Sequence, residues 1–347
     1  MKYYLFKLLI TIQYIGWSQG CIYDYIIQKN QIKTNFKVGY ENTYNEANYR
    51  INTNINTYYI PVVVHVVYNT DEQNIADSVI HSQIDVLNED YRRLNQNSNE
   101  TREEFLEFAG DANIEFFLAN EDPNGNPTNG IIHQYTNRGE FEMFTDFFSQ
   151  TLSIDEVKSS DTGGSNAWNT NKYLNIWVCN IAPISFDFSI LDFNGDGEPD
   201  ISLDFNGDGE PDINLEDFED GGQVFGYAYP PTNIEDGLIE LSNTQTVPDW
   251  PTDMLTDDEN LQGVVLHYTT IGRNNPEANN DNITNNNKGR TAVHEIGHYL
   301  GLRHIWGDPL GVDGCTVDDG ISDTPNASNN ANYICNLNKN TCDGDVF

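Results

Sequence analysis

Thr291-Ala292-Val293-His294-Glu295-Ile296-Gly297-His298-Tyr299-Leu300-Gly301-Leu302-Arg303-His304 decides how this chain is read. His294 and His298 are four residues apart, so on a helix they stand one above the other on a single face. Two neutral imidazoles at that spacing can hold one zinc ion, and Glu295, beside the first, can reach a metal-bound water as general base. Val293, Ile296 and Leu300 supply the apolar face that such a helix buries. Gly301 lets the chain leave the helix, because glycine readily adopts the left-handed conformation of a C-terminal cap. His304 can then return as third ligand. Three protein ligands with a fourth position left to water is the coordination of a catalytic zinc; a structural zinc would need a fourth protein ligand, and the neighbouring sequence places none.

A bare H-E-x-x-H arises by chance more readily than the longer H-E-x-x-H-x-x-G-x-x-H found here, which is the metzincin signature. The rest of the chain bounds what such a site can belong to. Its 347 residues carry 17 Lys and Arg against 54 Asp and Glu, a net charge of −37. That balance argues against nucleic acid and anionic membranes as partners.

Residues 1–20 have the layout of an export signal: Lys2 and Lys7, then the short apolar run Leu8–Trp17, then small residues at Ser18 to Gly20. The run is too short for a transmembrane anchor. Cys21 follows at once, but Ser18 stands where a lipidation motif carries Leu, so a secreted protein is expected over a lipid-anchored one. Residues 21–55 are polar and rich in Asn and Tyr, a leader or pro-segment. Residues 56–347 have room for one catalytic domain or for roughly two smaller ones.

Ile60-Pro61-Val62-Val63-Val64-His65-Val66-Val67-Tyr68 is an apolar, β-branched run and predicts a buried strand, with His65 a hydrogen-bonded core residue. Ile80, Ile84, Leu87, Tyr91 and Leu94 recur at steps of four and three, which predicts a long helix capped by Asp77 or Ser78. Further strands are expected at 114–118, 131–134, 174–181 and 263–270, an edge strand at 223–229, and one or two helices within 141–157. Cys179 falls in the strand expected at 174–181, as a buried thiol. Cys315, Cys335 and Cys342 make a C-terminal set of three, so one lacks a local partner. Strands mixed with two long helices indicate an α+β fold with a mostly parallel sheet.

Residues 192–215 are an internal repeat of twelve residues. Asp192, Asn194, Asp196 and Asp200 recur as Asp204, Asn206, Asp208 and Asp212, with glycine after the third oxygen donor for a sharp turn. This is the opening pattern of a calcium loop. Leu203 and Leu215 stand where an EF-hand needs its bidentate Glu, so the copies resemble the short acidic calcium repeats of extracellular proteins. A second acidic loop after His304 contains Asp318, Asp319 and Asp323, which with the Thr324 carbonyl could hold calcium.

The zinc motif followed by His304-Ile305-Trp306-Gly307-Asp308 and by Gly314-Cys315 and Ser322-Asp323-Thr324-Pro325 resembles the pappalysin family of metzincins, with its bacterial cytophagalysin-like members nearest. Ile60–Tyr68 and Asn88-Glu89-Asp90-Tyr91-Arg92-Arg93-Leu94-Asn95 resemble that family's first strand and first long helix. The resemblance implies a secreted zinc endopeptidase acting on proteins or peptides. It implies an upper subdomain of twisted sheet and two helices, an irregular lower subdomain, and calcium at the Asp-rich loop. It also implies a disulfide between Cys315 and Cys342. The sequence departs from the family pattern in two places. The acidic repeat interrupts a connection that is usually short. The only methionines are Met1, Met143 and Met254, so no Met-turn follows His304 and a chain truncated before that turn is expected.

The expected chemistry is peptide hydrolysis by a zinc-activated water, with Glu295 passing the proton to the leaving amine and the edge strand at 223–229 binding substrate backbone. The alternative is a calcium-dependent extracellular binding or adhesion protein built on an inactive protease-like domain. A monomer is expected in either case.

Overall fold

A computed structural model describes residues 57–143, 153–183, 223–229, 259–279 and 288–306, together with Cys315, Asp319, Ile321, Thr324, Asn326, Ala327 and Cys342. The apolar run opens the fold as β1 (Tyr58–Tyr68) and is followed by helix α1 (Asp77–Tyr91). Four strands come next: β2 (Ile114–Leu118), β3 (Ile131–Tyr135), β4 (Leu174–Cys179) and β5 (Gly226–Tyr229). They precede β6 (Gly263–His267) and helix α2 (Arg290–Tyr299). The sheet runs β2-β1-β4-β6-β5, and β3 pairs with the far half of β1. All pairings are parallel except that of β5 with β6. The fold is therefore α+β with a mostly parallel sheet.

The long β1 lies at the centre because it is apolar on both faces. Val62, Val64 and Val66 join Ile176, Val178, Val264 and Leu266 in one cluster, against Ile80, Ile84 and Leu87 of α1 and Ala292 and Ile296 of α2. Strands covered on both sides read as continuous apolar runs rather than alternating ones, which is why Val62 to Val67 shows no polar interruption except His65. That histidine is fully buried and satisfied: Nδ1 lies 2.8 Å from Ser165 Oγ, Nε2 lies 3.0 Å from Asn175 Oδ1, and its ring stacks on Trp177.

Both helices end in the same hydrogen-bonded turn. In α1 the amide of Arg93 bonds the Asp90 carbonyl and that of Leu94 bonds the Glu89 carbonyl; in α2 the amide of Gly301 bonds the His298 carbonyl and that of Leu302 bonds the Gly297 carbonyl. This pair of bonds is a Schellman cap, which needs a left-handed residue just past the helix. Gly301 takes that conformation at φ 96° and Arg93 takes it at φ 51°. The periodic helix was expected to run to Leu94. Arg93 reverses the chain instead, and Leu94 is 72% exposed.

The other end of α1 also differs from expectation. Its N-cap is Ala76, which makes no side-chain cap, and the Asp77 carboxylate reaches across to His133 Nε2 at 2.8 Å. Of the helices expected within 141–157, the described part holds only a 3-10 turn at Ile154–Lys158. The strand expected to reach residue 181 stops at Cys179, and that expected to reach residue 270 stops at His267, where the chain turns into a short 3-10 helix at Tyr268–Thr270. Cys179 is a buried free thiol.

The helices are joined across a long sequence distance. Gln83 of α1 accepts from the Gly272 amide at 2.7 Å and donates to the Gly289 carbonyl at 3.0 Å, just ahead of α2. The Tyr91 hydroxyl donates to the Val293 carbonyl at 3.1 Å, and Arg290 pairs with Asp90. Among the described residues no helix is long and apolar enough to cross a membrane.

Candidate active site

Helix α2 carries His294, Glu295 and His298, and its cap returns His304 to the same place. The three rings converge: His298 Nε2 lies 3.0 Å from His294 Nε2 and 3.2 Å from His304 Nε2. One ligand atom from each lies within 4.8 Å of the others. Tetrahedral zinc with bonds of about 2.0–2.1 Å sets its nitrogen ligands about 3.3 Å apart, so the donor set and spacing fit that ion.

The cap that turns the chain also prepares a ligand. His298 Nδ1 lies 2.8 Å from the Leu302 carbonyl oxygen. A carbonyl can only accept, so Nδ1 carries the proton and Nε2 presents its lone pair toward the other two rings. Leu302 is in place because its own amide is bonded to Gly297 at 2.9 Å. His304 is held from its far side by Trp306, whose ring stacks on it at 4.3 Å with 6° between the planes. His294 is exposed, whereas His298 and His304 are buried, so the cluster opens on the His294 side.

Glu295 is fully buried between α2 and the edge of the sheet. There it meets Gly226 of β5. A Cβ on Gly226 would stand 2.9 Å from Glu295 Cγ and 3.0 Å from the Val265 carbonyl oxygen. Only a residue without a side chain lets strand and carboxylate approach this closely. Gly226 was not singled out from the sequence. Its one signal is a glycine within an apolar strand pattern, which marks close approach of a second group.

The remaining candidates are placed unevenly. Cys315 and Cys342 form a disulfide with a Cα–Cα distance of 5.4 Å. Asp319 is buried and accepts from the Ile321 amide at 2.9 Å, and Thr324 is half-buried. Asp318 and Asp323 lie outside the described residues, as do the whole acidic repeat at 192–215, Cys21 and Cys335.

Comparison with known proteins gives a consistent picture. The model of peptidase family M43, described as pregnancy-associated plasma protein-A, matches residues 237–347. The chain resembles the mature mirolysin of Tannerella forsythia solved with a cleaved peptide, at 39% identity and a TM-score of 0.54, over 79% of this chain and 74% of that one. It also resembles a promirolysin mutant from the same organism at 35% identity and a TM-score of 0.59, over 89% of this chain and 76% of that one. An extracellular metalloprotease of Colletotrichum graminicola is 30% identical over 126 residues, and one of Arthroderma benhamiae is 40% identical over 62 residues. These two matches take in 36% and 18% of this chain, and span 34% and 21% of the fungal proteins' own lengths.

Proposed function

The chain belongs to the pappalysin family of metzincin metallopeptidases, and from that premise we propose that it is an exported zinc endopeptidase with Glu295 as general base. The observation that carries this reading is the convergence of three imidazole nitrogens at the end of α2, one of them fixed as a lone-pair donor by the Leu302 carbonyl. His294, His298 and His304 would hold the ion. When bound, zinc would supply Lewis acidity that polarises a scissile carbonyl and brings the pKa of a water toward neutrality.

The other steps belong to the chain itself. Glu295 takes the proton of the attacking water on its carboxylate and returns it to the leaving amine nitrogen. Its burial against Gly226 limits the rotamers open to it, so the carboxylate is pre-oriented. Among the described residues, strand β5 is the last strand of the sheet, bonded to β6 on one side. Its other edge offers backbone N–H and C=O groups to a peptide laid alongside as an added strand. The substrates are thus extended protein or peptide segments, bound by a monomer.

Residues 1–20 direct export in this reading, 21–55 form a leader, and 56–347 the catalytic unit, consistent with relatives named as extracellular metalloproteases. Calcium at Asp318, Asp319, Asp323 and the Thr324 carbonyl would brace the loop beyond His304, and a second calcium-binding element would be the repeat at 192–215. The buried carboxylate of Asp319 supports the first of these.

The decisive variant is Glu295→Ala. Its rate of peptide cleavage should fall roughly a hundredfold to ten-thousandfold, the range for removal of a general base, while metal analysis still finds zinc in the protein. Undiminished cleavage by this variant overturns the assignment. Stripping the wild-type protein with a chelator should abolish cleavage, and adding zinc back should restore it.

A further inference from the structure

Strand β5 faces a structural difficulty. It has four residues, and among the described residues β6 is its one strand partner. If its outer edge receives substrate, no second strand can brace it there, and a short strand bonded on one side frays readily. Its support must come through its two faces. Gly226 and Ala228 point toward α2, where Ala228 joins the apolar cluster. Tyr227 and Tyr229 point the opposite way, because successive strand residues alternate.

On that opposite side a buried lysine pairs with a partly buried aspartate. Lys158 is 3% exposed, and its Nζ lies 2.9 Å from Asp155 Oδ1 and donates to the Leu261 carbonyl at 2.7 Å. The ammonium also lies over the rings of Tyr229 at 4.2 Å, Tyr227 at 4.7 Å and Trp177 at 5.5 Å. Asp155 completes the arrangement by accepting from both phenols, Tyr227 at Oδ1 (2.8 Å) and Tyr229 at Oδ2 (2.9 Å). Burial, with Asp155 beside it, pushes the Tyr227 phenol well above its ordinary pKa, so its hydroxyl stays a donor. Tyr227 and Tyr229 are thus each bonded through the hydroxyl and covered by a cation on the ring, with Lys158 and both tyrosines buried and Asp155 partly so.

We propose that Asp155 and Lys158 are positioning residues that clamp β5 from the face opposite α2, holding its outer edge straight for substrate and Gly226 against Glu295. The pair lies on the face of the strand opposite Gly226 and Glu295. It acts through Tyr227 and Tyr229. Charge-assisted bonds within a low-dielectric pocket are stronger than neutral ones, and a cation held over aromatic rings adds to them. The short 3-10 turn Ile154–Lys158 delivers both charged groups from one place, three residues apart. The strand can therefore stay ordered without a neighbour on its substrate side. The inference rests on β5 being the substrate-binding edge.

The test uses the zinc-loaded full chain and the variant Tyr229→Phe, which removes one hydroxyl and leaves the ring and the ion pair. Hydrogen–deuterium exchange is followed at residues 226–229 and, as internal reference, at 174–179. In parallel, KM and kcat are measured on a fluorogenic peptide long enough to lie along the strand. Loss of one charge-assisted bond should speed exchange in β5 by about tenfold, with β4 unchanged. KM should rise by a similar factor while kcat stays within about twofold. A Tyr229→Phe protein that melts at lower temperature but keeps wild-type exchange in β5 would show the network to be ordinary core and overturn the clamp. Faster exchange with unchanged KM would overturn the role in substrate binding. Should the wild type cleave no peptide, the peptidase reading falls by itself, and the exchange data still decide whether the clamp exists.

Discussion

The two faces of the sheet are built on different chemistry. The face toward α1 and α2 is closed by aliphatic side chains, among them Val62, Val64, Val66, Ile176, Val178, Val264 and Leu266. The other face also excludes water, yet it contains His65, Asn175, Lys158 and His267, all buried. Apolar packing is forgiving about direction. Hydrogen bonds are not, so the polar face fixes particular side chains at particular places. The helix face carries the candidate catalytic groups, and the polar face holds the strands against which they are set.

If that contrast is right, the two faces should fail differently. The largest loss is expected on the helix side. Ile80→Ala empties a fully buried site beneath α1, and chemical denaturation should show about 2–5 kcal/mol of destabilisation with little dependence on pH. A small loss there would mean that the helix face is loosely packed.

The polar face should instead respond to acid. Burial pushes the pKa of His65 down from 6.5 to about 4, and burial does the same to His267. In that interval the unfolded chain takes up a proton at each position that the folded chain refuses. Their stabilising contribution is therefore complete above pH 6.5, declines as pH falls, and levels off below about pH 4. For His65 the full span is roughly 3 kcal/mol. The three converging histidines His294, His298 and His304 sit in a protein measured the same way, so the informative quantity is the difference between wild type and His65→Gln. The variant should start less stable at neutral pH and show the shallower decline. Parallel pH curves would remove His65 as an acid-sensitive group.

The smallest effect compares the two helix ends. Gly301→Ala puts a side chain into the left-handed conformation that Arg93 already occupies, at a cost of roughly 1–2 kcal/mol. Because Leu302 hangs from that cap and orients His298, the variant should also bind zinc more weakly in a competition titration with a chromogenic chelator. An unchanged zinc affinity would separate the cap from the ligand.

The same contrast explains what could be seen in the sequence. Helix α1, helix α2 and the central strands are local patterns, a repeat of three and four or an apolar run. The spacing of His294, His298 and His304 with Gly301 is local too. The polar face is not. Asp155 meets Tyr227 across 72 residues and His65 meets Asn175 across 110, so no window of sequence contains both partners. Gly226 against Glu295 is a contact of the same kind. Leu94 failed for a different reason: its periodicity was sound, but an arginine made the left-handed turn for which glycine is the usual sign. The helix expected near residue 150 falls partly in residues 144–152, outside the described structure.

Gln83 gives the site a place in time. Its amide joins segments 189 and 206 residues away, and the second of these opens the helix that bears His294 and Glu295. A ribosome making roughly 5–20 residues each second completes β1 and α1 well before α2 exists. Closing so long a loop also carries an entropic cost that local contacts do not offset. The candidate site at the end of α2 is accordingly assembled only after β1 and α1, the parts of the fold that support it, have been made.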